Sequence, residues 1–230
     1  MNYSLLENGA DSLKGAHDSL RSFDNQIDGT DHNLKDAVIF LNHGIEILFK
    51  LILKEHSPAL MFSNLKEYQN AKVKMKKGGE SDVFDVNSSL RTVSLEEAVK
   101  RVELLCDIEI TDQLKSYILY INKIRNKIMH YSISLSEQQL HELTSKLKLC
   151  YEESIKFLEI HIDGLKEKIE DSRFEMTYDE YLTEQAEIMA EMLYEDARIE
   201  EMERQQELMQ EAEQDSLGDM MDQMEDETNH

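Results

Sequence analysis

The sequence predicts an all-α fold with an acidic helical C-terminal extension, and three observations predict it. The 230 residues include one proline and eight glycines, so few positions break a helix. Apolar residues recur at three- and four-residue steps in segment after segment, the period of one helical face. Ser/Thr-x-x-Glu patterns, which satisfy the free N–H groups of a first helical turn, stand just ahead of those segments.

The first helix is expected from Tyr3 to Phe23, with Leu5, Leu6, Leu13, Ala16, Leu20 and Phe23 on one face and Gly9 and Gly15 weakening it. Asp31 serves as the cap of a second, whose apolar positions run from Leu34 to Leu53 and which Ser57-Pro58 ends. That helix is too apolar for a surface element. Within it His43 and Glu46, three residues apart, are neighbours. They read either as a catalytic pair, with Glu46 orienting a histidine or positioning Arg125, or as a hydrogen-bonded polar pair at a core edge.

Residues 58–92 change character and read as a loop insertion. A short helix over Ala59–Leu65 is followed by Lys66, Lys72, Lys74, Lys76 and Lys77, then Gly78-Gly79 and a polar run. Such lysines either neutralise the phosphates of an RNA backbone or are simply solvated. Ser94 and Glu97 form a capping box for the next helix, through Val99, Val102, Leu105 and Cys106. Thr111 caps the one after it. A further box, Ser134 with Glu137, opens one long helix reaching Ile169, which makes five substantial helices up to residue 171.

The helix that Thr111 caps holds the most informative stretch, Leu114 to Tyr131. Leu114, Tyr117, Ile118, Ile121, Ile124 and Ile128 form its core stripe. At its end Arg125, Asn126 and His130 bring a permanent cation, an amide and a titratable imidazole into six residues, a set suited to phosphate chemistry. Five residues of ideal helix turn Arg125 and His130 to about 140° from each other, whereas Asn126 and His130 share a face. A working site therefore requires a distorted helix end or a second copy of the helix, and the second is expected.

Arg125-Asn126-Lys127-Ile128-Met129-His130 resembles the R-polar-x-x-x-H motif of HEPN-domain ribonucleases, near the end of a late helix as in that family. Ala37–Leu53 is similar to the family's long early helix, with Glu46 as the candidate for its acidic residue. The resemblance covers about residues 1–170. It implies an up-and-down helical bundle, a homodimer whose motif helices meet, and metal-independent cleavage of RNA in a composite cleft. Arg125, Asn126 and His130 are then the catalytic candidates and Glu46 a weaker one. Lys72, Lys74, Lys76 and Lys77, with Lys127 more weakly, are the candidates for RNA contact. Family members are often toxins or phage-defence effectors. The rival reading is a catalytically silent helical module for dimerisation or partner binding, which the overall acidity favours because it opposes RNA at long range.

Charge separates residues 172–230 from residues 1–171. From Asp171 to the end there are 21 acidic and 3 basic residues, most of the net −23 of the whole chain. Thr177 and Glu180 cap a helix with a thin stripe of Tyr181, Ile188, Met192 and Ile199, and helicity is expected to fade after Glu213. The tail reads as a solvated extension, as a nucleic-acid mimic restraining the cleft, or as a Met-rich helix that docks a regulator or antitoxin.

Other chemistries have no visible machinery. A Gly-rich phosphate loop, H-E-x-x-H, paired Cys-x-x-Cys and G-x-S-x-G are all missing from the sequence. No metal and no cofactor is expected. Cys106 and Cys150 are too few for a disulfide framework and are expected reduced and buried. The most apolar stretch, Ile45–Leu53, is broken by Glu46 and Lys50, so no membrane association and a cytoplasmic location are expected.

Overall fold

A computed structural model describes residues 3–26, 30–173 and 175–228. Their helices are α1 (Leu5–Asn25), α2 (Asp31–His56), α3 (Leu65–Gly78), α4 (Val83–Val86), α5 (Leu95–Leu105), α6 (Asp112–His130), α7 (Glu137–His161), α8 (Leu165–Asp171) and α9 (Tyr178–Thr228), with a 3-10 turn at Pro58–Met61. Among the described residues β-structure is limited to one antiparallel bridge, Phe62 with Thr92, so the fold is all-α. No helix among them is long and apolar enough to cross a membrane. The chain divides into two compact units, residues 1–174 and 175–230.

The first unit is built around α2, which packs against α1, α5, α6 and α7. Leu41, Ile45, Leu48, Phe49, Ile52 and Leu53 of α2 are fully buried, joined by Leu13, Leu95, Ile118, Ile121, Leu143 and Leu147 from its neighbours. Ser4 starts α1 with a reciprocal box: its hydroxyl accepts the Glu7 N–H and the Glu7 carboxylate accepts the Ser4 N–H at 2.8 Å. Asp31 stands in the first turn of α2, not at its cap; Thr30 holds that position.

Gly9 and Gly15 do more than weaken α1. A Cβ on Gly9 would meet Leu48 at 2.5 Å, and Gly44 of α2 faces Leu13 and the Gly9 carbonyl. Those pairings run antiparallel and set the two axes close together. Gly15 leaves room for Arg173, whose guanidinium lies 4.5 Å over the Phe40 ring and pairs with Asp11 at 3.2 Å.

Four expectations are corrected. Residues 58–92 are not a loop: the 3-10 turn, α3 and α4 occupy much of the segment. The Asn64 side chain accepts the N–H groups of Lys66 and Glu67, Tyr68 and Ala71 are buried, and Gly79 closes α3 at φ 75°. The helix after the α6 turn starts two residues later than expected, because Ser136 and Gln139 form the capping box in place of Ser134 and Glu137. Ile133 and Leu135 pack on the core while Ser132, Ser134 and Ser136 face outward, an alternation that only extended chain supplies. The long helix to Ile169 is two: the chain breaks between α7 and α8, where Gly164 takes φ 72°. Helicity does not fade after Glu213 but continues to Thr228; that stretch has no proline, and glycine only at Gly218.

Smaller features follow local chemistry. Ser94 accepts the Glu97 N–H, but the Glu97 carboxylate turns to Arg101 at 2.7 Å, so only half of the expected box forms. Cys150 is buried, and burial pushes its thiol up to about 12. Cys106 is part-exposed rather than buried.

Candidate functional site

Thr111 starts α6 by accepting the Leu114 N–H, and the helix stays regular to its last turn, where the Tyr131 N–H still reaches the Lys127 carbonyl at 2.9 Å. Undistorted geometry keeps the angular relation of ideal helix. Leu114, Ile118, Ile121 and Ile124 are buried, while Leu119, Lys123, Asn126, Lys127 and His130 make up the exposed face. Arg125 belongs to neither side: it is half-buried and lies about 140° around the axis from His130.

What joins Arg125 to the exposed face is Asn126. The Arg125 Nη1 donates to the Asn126 Oδ1 at 3.0 Å, which holds the guanidinium beside the residue one turn before His130. Asn126 thus orients the arginine; among the described residues no hydrogen bond links it to His130. One chain brings Arg125 and Asn126 together and leaves His130 apart from the guanidinium.

Inward of Arg125 lies a polar seam through the core. His43 is half-buried, its Nε2 3.3 Å from the Asn8 Oδ1. Burial holds its pKa below the usual imidazole value; the charges of Lys50 and Arg125 press the same way, against Glu46 and Asp11. Glu46 does not orient a histidine: its Oε1 accepts from the Lys50 Nζ at 2.6 Å, and the same ammonium donates to the Thr92 hydroxyl at 2.9 Å. Only 8% of the Lys50 side chain is exposed, so this pair keeps a buried charge neutralised. Asn42, one turn before Glu46, is buried, and among the described residues neither of its amide atoms has a hydrogen-bond partner.

Outward of Asn126 is an open groove of about 940 Å³ lined by Lys123, Asn126, Lys127, Tyr131 and Gln139, with Glu96 on the α5 side. Lys127, a weak candidate for RNA contact by sequence, lines it. Lys123 and Tyr131 were not singled out, although the i, i+4 relation of Lys123 to Lys127 was available in the sequence. Tyr131 is 87% exposed. The Glu96 carboxylate accepts from the buried Asn122 amide at 3.2 Å, a contact across α5 and α6 that no local pattern signals.

Lys72, Lys74, Lys76 and Lys77 lie on α3, away from this groove's lining. Tyr68, Ala71 and Met75 form the packed stripe of α3; Lys74 and Lys76 are exposed on its two flanks, Lys77 is exposed opposite it, and Lys72 is half-buried at its edge. Among the described residues no three His, Cys, Asp or Glu side chains gather as metal ligands. Comparison with family models, with curated proteins and with solved structures finds no match.

Proposed function

We propose that the chain is a metal-independent endoribonuclease of HEPN type, acting as a homodimer through α6, in the setting of a toxin or phage-defence effector. The observation that supports this most is the Arg125–Asn126 hydrogen bond, which ties a permanent cation to the exposed face that ends in His130. The regular end of α6 keeps Arg125 and His130 of one chain about 140° apart, so a second α6 supplies the missing half. Leu119 and Met129, 44% and 49% exposed on that helix, offer apolar surface for the pairing.

In this mechanism His130 takes the proton from a ribose 2′-hydroxyl as that oxygen attacks phosphorus. The second copy's His130 donates a proton to the departing 5′-oxygen. Arg125 stabilises the added negative charge on the phosphorane-like transition state, and its hydrogen bond to Asn126 fixes the guanidinium beforehand. The products are a 2′,3′-cyclic phosphate and a 5′-hydroxyl. Lys123 and Lys127 neutralise backbone phosphates along the groove, and the lysines of α3, outside it, offer a separate contact to the RNA backbone.

The test is incubation of the purified full chain with mixed RNA in excess chelator, with end-group analysis of the products. Cleavage to cyclic-phosphate ends is expected. Arg125→Ala and His130→Ala should each lower the rate by at least about a hundredfold while the dimer stays folded. Loss of cleavage in chelator, or a monomer that cuts as fast as the dimer, refutes the proposal. The second reading, a silent dimerisation module, is favoured by the half-burial of Arg125, and it predicts a dimer without cleavage.

A further inference from the structure

Within its acidic composition α9 carries a seven-residue repeat. With Tyr178 at the first seam position, Tyr178, Gln185, Met192, Ile199 and Gln206 fall in one row, and Tyr181, Ile188, Glu195, Met202 and Met209 in the other. Seven residues over two turns keep both rows on one line when a helix supercoils about a partner. Seven of those ten positions are apolar or aromatic, yet all seven are exposed: Tyr181 46%, Ile188 45%, Met192 60%, Ile199 47% and Met202 48%, with Tyr178 and Met209 more so. This is the residue pattern of a coiled-coil seam, and within the unit of residues 175–230 no second helix covers it.

Charge selects the occupant. Between Tyr178 and Met209 there are eleven acidic and two basic residues. In-register parallel pairing with a second copy sets Glu195 against Glu195 inside the seam and Glu191 against Asp196 beside it, with Arg198 against Glu203 as the attractive flanking pair. Antiparallel pairing over the same span separates the two Glu195 residues and sets Glu191 beside the copy's Arg198, but it still lays two spans of eleven acidic and two basic residues against each other. The net negative charge of both helices opposes such a dimer in either direction. A helix of opposite net charge reverses that repulsion, and the Gln185 and Gln206 layers favour one register.

We infer that the seam from Tyr178 to Met209 binds a cationic amphipathic helix of a different polypeptide, with an apolar seam of its own, Lys or Arg opposite Glu195 and further basic residues along its flanks. The binding is a two-stranded coil independent of the chemistry at α6.

The probe is a synthetic 32-residue peptide, matching Tyr178–Met209 in length. It has Ile and Leu in the seam and Lys in the flanks and opposite Glu195. It is titrated against the full chain at physiological salt and followed by fluorescence anisotropy. A peptide of identical composition in scrambled order reports attraction by charge alone. One cationic peptide is expected per α9, at least about tenfold tighter than the scrambled one. Met192→Glu combined with Ile199→Glu, at two exposed positions, should reduce binding to the scrambled level with helical content unchanged. Equal affinity for both peptides, no binding by either, or full binding by the double variant overturns the inference. A fall in the mass of the full chain on the double substitution also overturns it, since a second copy is then the occupant.

Discussion

α2 and α9 are both long, unbroken helices, and they are held in opposite ways. Twelve of the 26 residues of α2 are buried, whereas every described side chain of α9 through Met209 is exposed. Packing stabilises α2 so strongly that its row can include Asn42, Glu46 and Lys50. α9 relies on helix propensity and on neighbours one turn apart, such as the Gln205 amide donating to the Glu201 carboxylate at 3.1 Å. The difference teaches where a substitution matters: in α2 a side chain is judged by what it touches, in α9 by what it leaves free for a partner.

The sharpest way to break that comparison is to truncate one apolar residue in each helix. Phe49 is fully buried and stacks on Phe157 at 5.4 Å, so Phe49→Ala should cost about 3–5 kcal/mol in urea unfolding. Met192→Ala should stay within about 0.5 kcal/mol. Equal losses in the two variants would mean that α9 is held by packing as well.

Next in size is the charge pair inside α2. Glu46→Ala strips the Lys50 ammonium of its carboxylate while leaving it buried, at a cost of about 3 kcal/mol. An exposed carboxylate of α9 such as Glu201 should change stability by less than about 0.5 kcal/mol when replaced by alanine. Chemical denaturation of both variants checks the contrast, and a neutral Glu46→Ala would show that Lys50 finds another partner.

A third probe concerns the α1–α2 contact. Alanine normally stabilises a helix over glycine by about 1 kcal/mol, but a Cβ on Gly9 would sit 2.5 Å from Leu48. Gly9→Ala should therefore destabilise by about 1–2 kcal/mol net, whereas Thr183→Ala, exposed in α9, should follow propensity and raise helical content. A stabilised Gly9→Ala would show that Leu48 moves aside at no cost.

The smallest expected effect is on pH dependence. His43 has its folded pKa lowered from the ordinary 6.5, first by burial. Its neutral form is favoured in the fold, so its contribution is present above about 6.5 and declines as pH falls toward the lowered folded value. Over that window the unfolded chain binds the extra proton, and stability rises with pH. His43→Gln should flatten the slope measured by urea melts across that range, and an unchanged slope would assign it to other groups.

Much of the fold was legible in the order of residue types. Thr111, Ser94 and the Thr177–Glu180 pair mark helix starts where they stand, because each cap is completed within four residues of chain. Ser134 failed as a cap because Ser136 offers the same chemistry two residues on, and the choice rests with Ile133 and Leu135 packing on a core the local sequence does not contain. The basic segment looked like a loop because its lysines dominate; Tyr68, Ala71 and Met75, which hold α3 down, are too sparse to stand out. In the candidate site the angle between Arg125 and His130 followed from helix geometry alone.

The sequence by itself determined the helical class, the acidic extension and the face on which Asn126 and His130 lie, since all three depend on residue type and on spacing within one turn. Only the tertiary structure decided that Glu46 neutralises Lys50, that Gly9 and Gly15 are contact points, and that Lys123 and Tyr131 share a groove with Asn126. Those outcomes depend on groups brought together from distant parts of the chain, and no local spacing encodes which of two chemically capable partners arrives.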